Sequence, residues 1–187
     1  DRRRVAERAE ALFARAEAMS DRRTPEAAAA AVRLYNDAIA LRPGEARYYA
    51  ALSQTLNRAI HTIDGRQPME ALEAARMAAE LDSGWLACQI SYGFFLFYYA
   101  WRWEEAEQRL EIARRLSPES ADLAANRAML LAALGRLEEA DREIGRAIAG
   151  KPYRSTWQSI RAGILYFQGQ HAAALEAADK AIALEPR

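Results

Sequence analysis

Alanine recurs at two fixed positions in five successive segments of the chain. The segments end in AIALRP, AAELDS, ARRLSP, AIAGKP and AIALEP, at residues 38–43, 78–83, 113–118, 147–152 and 181–186. Five residues before each end stand Ala38, Ala78, Ala113, Ala147 and Ala181, and twelve residues before it stand Ala31, Ala71, Ala106, Ala140 and Ala174. The ends follow one another at intervals of 40, 35, 34 and 34 residues. Such a fixed interval indicates a repeat protein, in which each repeat is one supersecondary unit.

Each repeat is expected to be a helical hairpin. Alanines seven residues apart lie on one face of an α-helix, where a small side chain lets another helix come close. An apolar stretch precedes the alanine pair in the last four repeats, at 48–60, 86–99, 123–134 and 157–167. In the first repeat, Thr24-Pro25-Glu26 is a typical helix start. No stretch alternates as a strand does, and 43 alanines against 9 glycines and 6 prolines favour helices.

A 34-residue helical hairpin with these alanines and a closing proline resembles the tetratricopeptide repeat. The match is strongest in 119–152, where Gly135, Ala140, Ala147 and Pro152 occupy the family's positions. The resemblance implies an all-α, right-handed superhelical solenoid of about five helix–turn–helix repeats. It also implies a single domain over 1–187, with repeats at about 3–43, 44–83, 84–118, 119–152 and 153–186.

The chain departs from the family pattern at four positions. Arg127 and Arg161 stand where a large apolar residue is usual, Ser83 replaces a proline, and Gly150 replaces a leucine. These departures affect the expected packing of individual helices and leave the expected fold unchanged.

A narrower resemblance concerns the segments 22–43, 92–118 and 130–140, above all the pattern W-x-W-x-x-A-E at 101–107. They are similar to the repeat region of bacterial multidomain regulators, in which the repeats are joined to a winged-helix DNA-binding domain, a nucleotide cyclase or a protein kinase. The resemblance implies a fragment of a longer regulator, with another domain upstream of Asp1. Because the sequence stops directly after the second helix of a repeat, we also expect further helix after Arg187. Until such a helix covers them, Ala173, Ala177, Ala181 and Leu184 are expected to face the open side of the last helix.

Most other chemical functions find little support in the sequence. Lys plus Arg and Asp plus Glu both number 26, so the chain lacks the broad positive field of a nucleic-acid binder. One cysteine, Cys88, excludes an intrachain disulfide and a cysteine-cluster metal site. His61 and His171 lie in different repeats near turns, and no nucleophile or phosphate-loop motif is present. We therefore expect no enzyme, no cofactor and no metal.

Two local features allow alternative interpretations. The acidic residues Glu104-Glu105 and Glu138-Glu139 fit the first turns of helices, although a pair of catalytic carboxylates stays possible. Residues 83–101 carry no charge and are long enough to suggest a transmembrane helix. Because this stretch contains Gln89 and two serines and lies in register with the other repeats, we interpret it as a buried first helix.

The family resemblance implies that the first helices of the repeats line a concave groove. The residues expected to face this groove are Arg47, Gln54, Asn57, Arg58, Phe94, Phe97, Tyr98, Asn126, Met129, Tyr166 and Phe167. An aromatic floor with polar ends suits a peptide with apolar anchors. The alternative is that the aromatic side chains only pack between neighbouring repeats.

These observations predict a non-enzymatic interaction module that binds a peptide segment or a partner domain in the groove. The alternative is a domain that senses a small molecule in its aromatic section and controls an attached DNA-binding or cyclase domain. We expect a monomer or a weak homodimer without a membrane span. The expected compartment is the bacterial cytoplasm, or the periplasm if the parent protein carries an upstream anchor.

Overall fold

The computed structural model describes residues 2–22, 24–59 and 67–185. Every regular element in these ranges is an α-helix, which confirms the predicted all-α fold. The helices are α1 (Arg2–Ser20), α2 (Pro25–Leu41), α3 (Ala46–Ala59), α4 (Gln67–Leu81), α5 (Leu86–Tyr98), α6 (Trp103–Leu116), α7 (Ala121–Ala133), α8 (Leu137–Gly150), α9 (Ser155–Phe167) and α10 (His171–Leu184). They form two compact units, with α1 to α5 in Asp1–Trp101 and α6 to α10 in Arg102–Arg187.

The repeated alanines lie in the core, as their spacing predicts. All ten have an exposed fraction of 8% or less. The pairs lie on α2, α4, α6, α8 and α10, one pair to each helix, and on the buried face of that helix. A larger side chain at these positions would separate the helices, since protein interiors leave little free volume.

In the first unit, α1 packs against α2 and α3 against α4, while α2 and α4 also pack against the helix that follows each. The start of α2 has the predicted cap. The Thr24 hydroxyl oxygen accepts a hydrogen bond from the Ala27 backbone N–H at 3.2 Å, and Pro25 occupies the first turn. The hydroxyl thus provides an acceptor for the Ala27 N–H, which has no hydrogen-bond partner within the helix.

In the second unit, α7 and α8 form one hairpin and α9 and α10 another. The turns inside both hairpins depend on a glycine in the left-handed region, Gly135 with φ 74° and Gly169 with φ 76°. In each, the next backbone N–H bonds to a carbonyl five residues earlier, at 2.9 Å from Arg136 to Leu131 and from Gln170 to Leu165. These bonds are those of the Schellman motif, a common helix C-terminus in which a glycine takes the left-handed conformation.

The turn after α5 is built differently, because it has one extra residue. Four residues, 99–102, separate α5 from α6, whereas three separate α7 from α8. Trp101 takes the left-handed conformation with φ 58°, which side chains other than glycine rarely adopt. The extra residue before Glu104 is thus accommodated by a tryptophan in the conformation that Gly135 and Gly169 adopt in the second unit.

The uncharged stretch folds as the predicted buried first helix. Tyr92, Phe95 and Leu96 point inward and are each 3% exposed or less. Gln89 is fully buried, and its amide Nε2 donates to the backbone oxygens of Ala79 and Ser83, both at 3.2 Å. In the described part of the chain, no helix combines the length and apolar character that a membrane crossing requires.

The arginines that replace apolar residues are held by ion pairs to α8. The Arg127 Nε lies 3.3 Å from an oxygen of Glu143, and the Arg161 Nε lies 3.2 Å from an oxygen of Asp141. Each long aliphatic stem can cover the helix contact while its charged end reaches a carboxylate. At Arg127 and Arg161, an ion pair to α8 therefore stands where the family pattern would place an apolar contact.

Gly150, the other departure in this unit, allows a close approach between two helices. A Cβ atom built on Gly150 would lie 2.9 Å from the Cβ of Ala121, which is closer than real Cβ atoms come. The start of α7 therefore packs directly over the end of α8, and a leucine at position 150 would not fit there.

One expectation about the last helix is wrong. Ala177 and Ala181, expected on its open side, are both buried. The open side instead carries Leu175 and Ile182, which are 68% and 67% exposed. These two residues are seven positions apart and share a face, so the exposed surface of α10 is more apolar than the alanines alone suggest.

Candidate functional site

On α5, an exposed pair of aromatic rings stands out among the groove candidates. The rings of Phe94 and Tyr98 are stacked, with centroids 5.1 Å apart and planes 17° apart. Tyr98 is 53% exposed and Phe94 is half-buried, whereas Phe97 is only 3% exposed. Phe94 also meets the edge of Phe97 at 5.6 Å, so the buried ring supports the exposed pair from the side. We call Phe94 and Tyr98 the aromatic platform.

Gln54, one of the polar candidates on α3, lies beside this face of α5. Gln54 and Asn57 are exposed. Gln54 and Ala50 line a narrow crevice together with Ala87 and Ser91 of α5. Ala87, Ser91, Phe94 and Tyr98 are spaced by three or four residues and thus share one helix face. The structure therefore brings Gln54 next to the helix face that carries the aromatic platform.

Arg47 is exposed but already engaged in contacts within the first unit. Its guanidinium forms an ion pair with Glu10 and lies over the rings of Phe13 and Tyr48, 5.1 and 5.2 Å from their centroids. The Tyr48 hydroxyl donates to the same Glu10 at 2.9 Å. Because these contacts connect α1 to α3, Arg47 has a structural role that sequence reasoning did not identify.

Arg58 belongs to a polar cluster at the ends of α1 and α3. Its guanidinium donates to the hydroxyl oxygens of Ser20 and Thr55, which lie 2.8 Å from each other and are both buried. The cluster borders a cavity of about 370 Å³ that also includes Thr24 and Pro25. Sequence reasoning missed the two hydroxyl residues because 35 positions separate them. The only signal was a polar residue within each otherwise apolar helix face.

In the second unit, α9 presents two exposed aromatic rings. Tyr166 and Phe167 are 61% and 73% exposed and meet edge to face at 5.7 Å. On α7, Met129 is half-buried, and the Asn126 amide donates to the Asp122 backbone oxygen of its own helix at 2.8 Å. The exposed rings are available to a partner, whereas the Asn126 amide is partly used within its helix.

Two of the four glutamates considered for catalysis have structural partners. Glu105 and Glu139 lie in first turns, as predicted, and bond to Arg102 and Arg136 three residues before them. Burial raises the pKa of the Cys88 thiol to about 12, so it stays protonated near neutral pH. His171 begins α10, with its ring 5.4 Å from that of Tyr166. His61 lies outside the described residues, among which no group of three or more possible metal ligands occurs.

Comparisons with known proteins support the architecture. No protein-family model and no curated protein sequence matches the chain. Among solved structures, it is similar to TTC0263, a thermophilic TPR protein of Thermus thermophilus, with a TM-score of 0.77 and 18% identity over 96% of this chain and 92% of that one. It is also similar to PilF of Pseudomonas aeruginosa, with a TM-score of 0.74 and 22% identity over 98% of this chain and 79% of that one.

A third similar structure is YrrB, described as a TPR protein with an unusual peptide-binding site. Its TM-score is 0.62, with 19% identity over 94% of this chain and 85% of that one. At such low sequence identity, these similarities are evidence about the backbone fold alone. They show that the chain has the fold of tetratricopeptide-repeat proteins.

Proposed function

We propose that the chain is a non-enzymatic interaction module that binds a peptide segment or a partner domain on the faces of its first helices. The observation that carries the proposal is the aromatic platform on α5, with Tyr98 53% exposed and stacked on Phe94. A rigid aromatic pair offers apolar contact area at little cost in side-chain entropy. The exposed amides of Gln54 and Asn57 add hydrogen-bonding groups on α3.

Three further observations agree with this proposal. YrrB, whose fold is similar, is described as having a peptide-binding site. The second unit carries exposed rings on its own first helix α9, at Tyr166 and Phe167. Glu105 and Glu139, two of the four glutamates considered for acid catalysis, accept hydrogen bonds from arginines, which favours a structural role for these two.

A peptide-display experiment tests the proposal. Random dodecapeptides are selected on the folded chain, and the affinity of each selected peptide is measured by fluorescence anisotropy for the wild type and for Tyr98→Ala. Loss of an aromatic anchor should weaken binding at least about tenfold. The matched control is Tyr153→Ala, which removes a tyrosine that is 69% exposed in the turn between α8 and α9.

The control variant should change affinity less than about twofold, because Tyr153 lies outside the proposed surface. The melting temperature of Tyr98→Ala should stay close to that of the wild type, since surface substitutions have small effects on stability. Selected peptides that bind both variants as tightly as the wild type would contradict the proposal.

We further propose that the module is the regulatory part of a bacterial signalling or transcriptional regulator in the cytoplasm. The support is the sequence similarity of residues 22–43 and 92–118 to the repeat regions of such regulators. The complete reading frame tests this context. A winged-helix, cyclase or kinase domain on the same chain would agree with it, and an export signal or a lipid anchor would contradict it.

A further inference from the structure

A crevice in the first unit lies apart from the groove candidates. It has a volume of about 490 Å³, is walled by α2 and α4, and has α3 as its floor. Its apolar lining includes Val32 and Ile39 of α2, Leu52 and Leu56 of α3, and Met69 and Met77 of α4. The volume falls within the range of about 300–1,000 Å³ that is typical of small-molecule sites.

The crevice opens on the opposite side of α3 from the groove candidates. Successive residues of an α-helix are rotated by about 100° about its axis. On this basis, Leu52 and Leu56 lie on one side of α3, while Gln54 and Arg58 lie roughly half a turn of rotation away. A ligand in the crevice would therefore leave the groove side of α3 accessible.

The polar groups of the crevice suit a cation. Its lining includes the carboxylates of Glu70 and Glu73, the side-chain amide of Asn36 and the ring of Tyr49. Arg76 bonds to Glu73 at 2.9 Å and lowers its pKa, so Glu73 stays ionised. Within the described residues, no ion pair involves Glu70. A carboxylate, an amide oxygen and an aromatic ring all attract a positively charged nitrogen.

We infer that the crevice binds a small organic amine with an apolar body. The apolar body lies against the leucine and methionine side chains, which bury it from water. The ammonium group lies at the Glu70 carboxylate. The two methionines make the site adaptable in shape, because their unbranched thioether side chains fill irregular space.

Methyl NMR tests this inference site by site. The chain contains 4 methionines, of which Met69 and Met77 line the crevice, whereas Met19 and Met129 do not. The protein is labelled with 13C at the methionine methyl groups and titrated near pH 7 with octylammonium, with octanoate as the anionic probe of equal chain length. We expect saturable shifts of the Met69 and Met77 signals with octylammonium and much weaker binding of octanoate.

A pair of variants tests the role of charge. Glu70→Gln keeps the shape of the side chain and removes the carboxylate, so it should weaken octylammonium binding about two- to fivefold, as expected for an exposed ion pair. Glu80→Gln is the matched control on the same helix, because Glu80 does not line the crevice, and it should leave the affinity unchanged. The inference is overturned by equal binding of octanoate, by shifts of similar size at all four methionines, by the absence of saturation, or by an unchanged affinity in Glu70→Gln.

Discussion

Enlarging a repeated alanine of α8 should destabilise the second unit. Ala140 and Ala147 are fully buried and belong to a cluster that includes Ala128, Ile144 and Trp157. Replacing either alanine by leucine adds three carbon atoms at a site with no accessible surface. Overpacking of this kind costs about 1–3 kcal/mol in the free energy of unfolding. For a chain of this length, that loss corresponds to a decrease in melting temperature of about 2–12 °C.

Ala149→Leu is the matched control for this prediction. Ala149 lies on the same helix and is exposed, so the same chemical change should alter the free energy of unfolding by less than about 0.5 kcal/mol. Thermal and urea unfolding followed by circular dichroism measure both effects. Unchanged stability of Ala140→Leu and Ala147→Leu, or an equal loss in Ala149→Leu, would refute the assignment of these alanines to the helix contacts.

Three further predictions follow from particular contacts. Gly150→Ala should lower the melting temperature because its Cβ would meet the Cβ of Ala121 at 2.9 Å. Ala121→Gly in the same chain should restore part of that loss, and a double variant whose loss equals the sum of the two single losses would contradict this. Gln89→Glu should cost about 3 kcal/mol or more at pH 7 by urea unfolding, since a carboxylate would face two backbone oxygens in the core. Burial raises the folded-state pKa of such a group above its unfolded value, so the loss should shrink as the pH falls toward about 4, and a pH-independent loss would count against it. The double variant Leu175→Glu/Ile182→Glu should reduce any self-association seen by light scattering at high protein concentration, because it places charge on the exposed face of α10, and unchanged association would exclude that face as the contact.

Regular features of the fold could be predicted from the sequence, because they repeat. The alanine register and the cap at Thr24 depend on local spacing, and both are confirmed. The conformation of Trp101 could not be predicted, since an insertion of one residue does not specify which residue takes the left-handed position. The exposure of Leu175 was missed because the outward face of α10 was assigned to the wrong side of the helix.

The candidate site could be predicted only in part, for a geometric reason. Phe97 and Tyr98 are adjacent in sequence, yet one is buried and the other is half exposed, since one residue rotates the side chain by about 100°. The crevice between α2 and α4 could not be foreseen, because its size depends on the distance between helices of different hairpins. The pairing of Arg58 with Ser20 likewise joins two helices across 38 positions of the sequence.

A crystal structure of the chain with a display-selected peptide tests the central claim most directly. We expect the peptide to lie along the first-helix face of the first unit, with an apolar side chain against Phe94 and Tyr98 and a polar contact to Gln54 or Asn57. A peptide bound instead in the crevice between α2 and α4, or on the exposed face of α10, would contradict the claim that the first helices carry the binding surface.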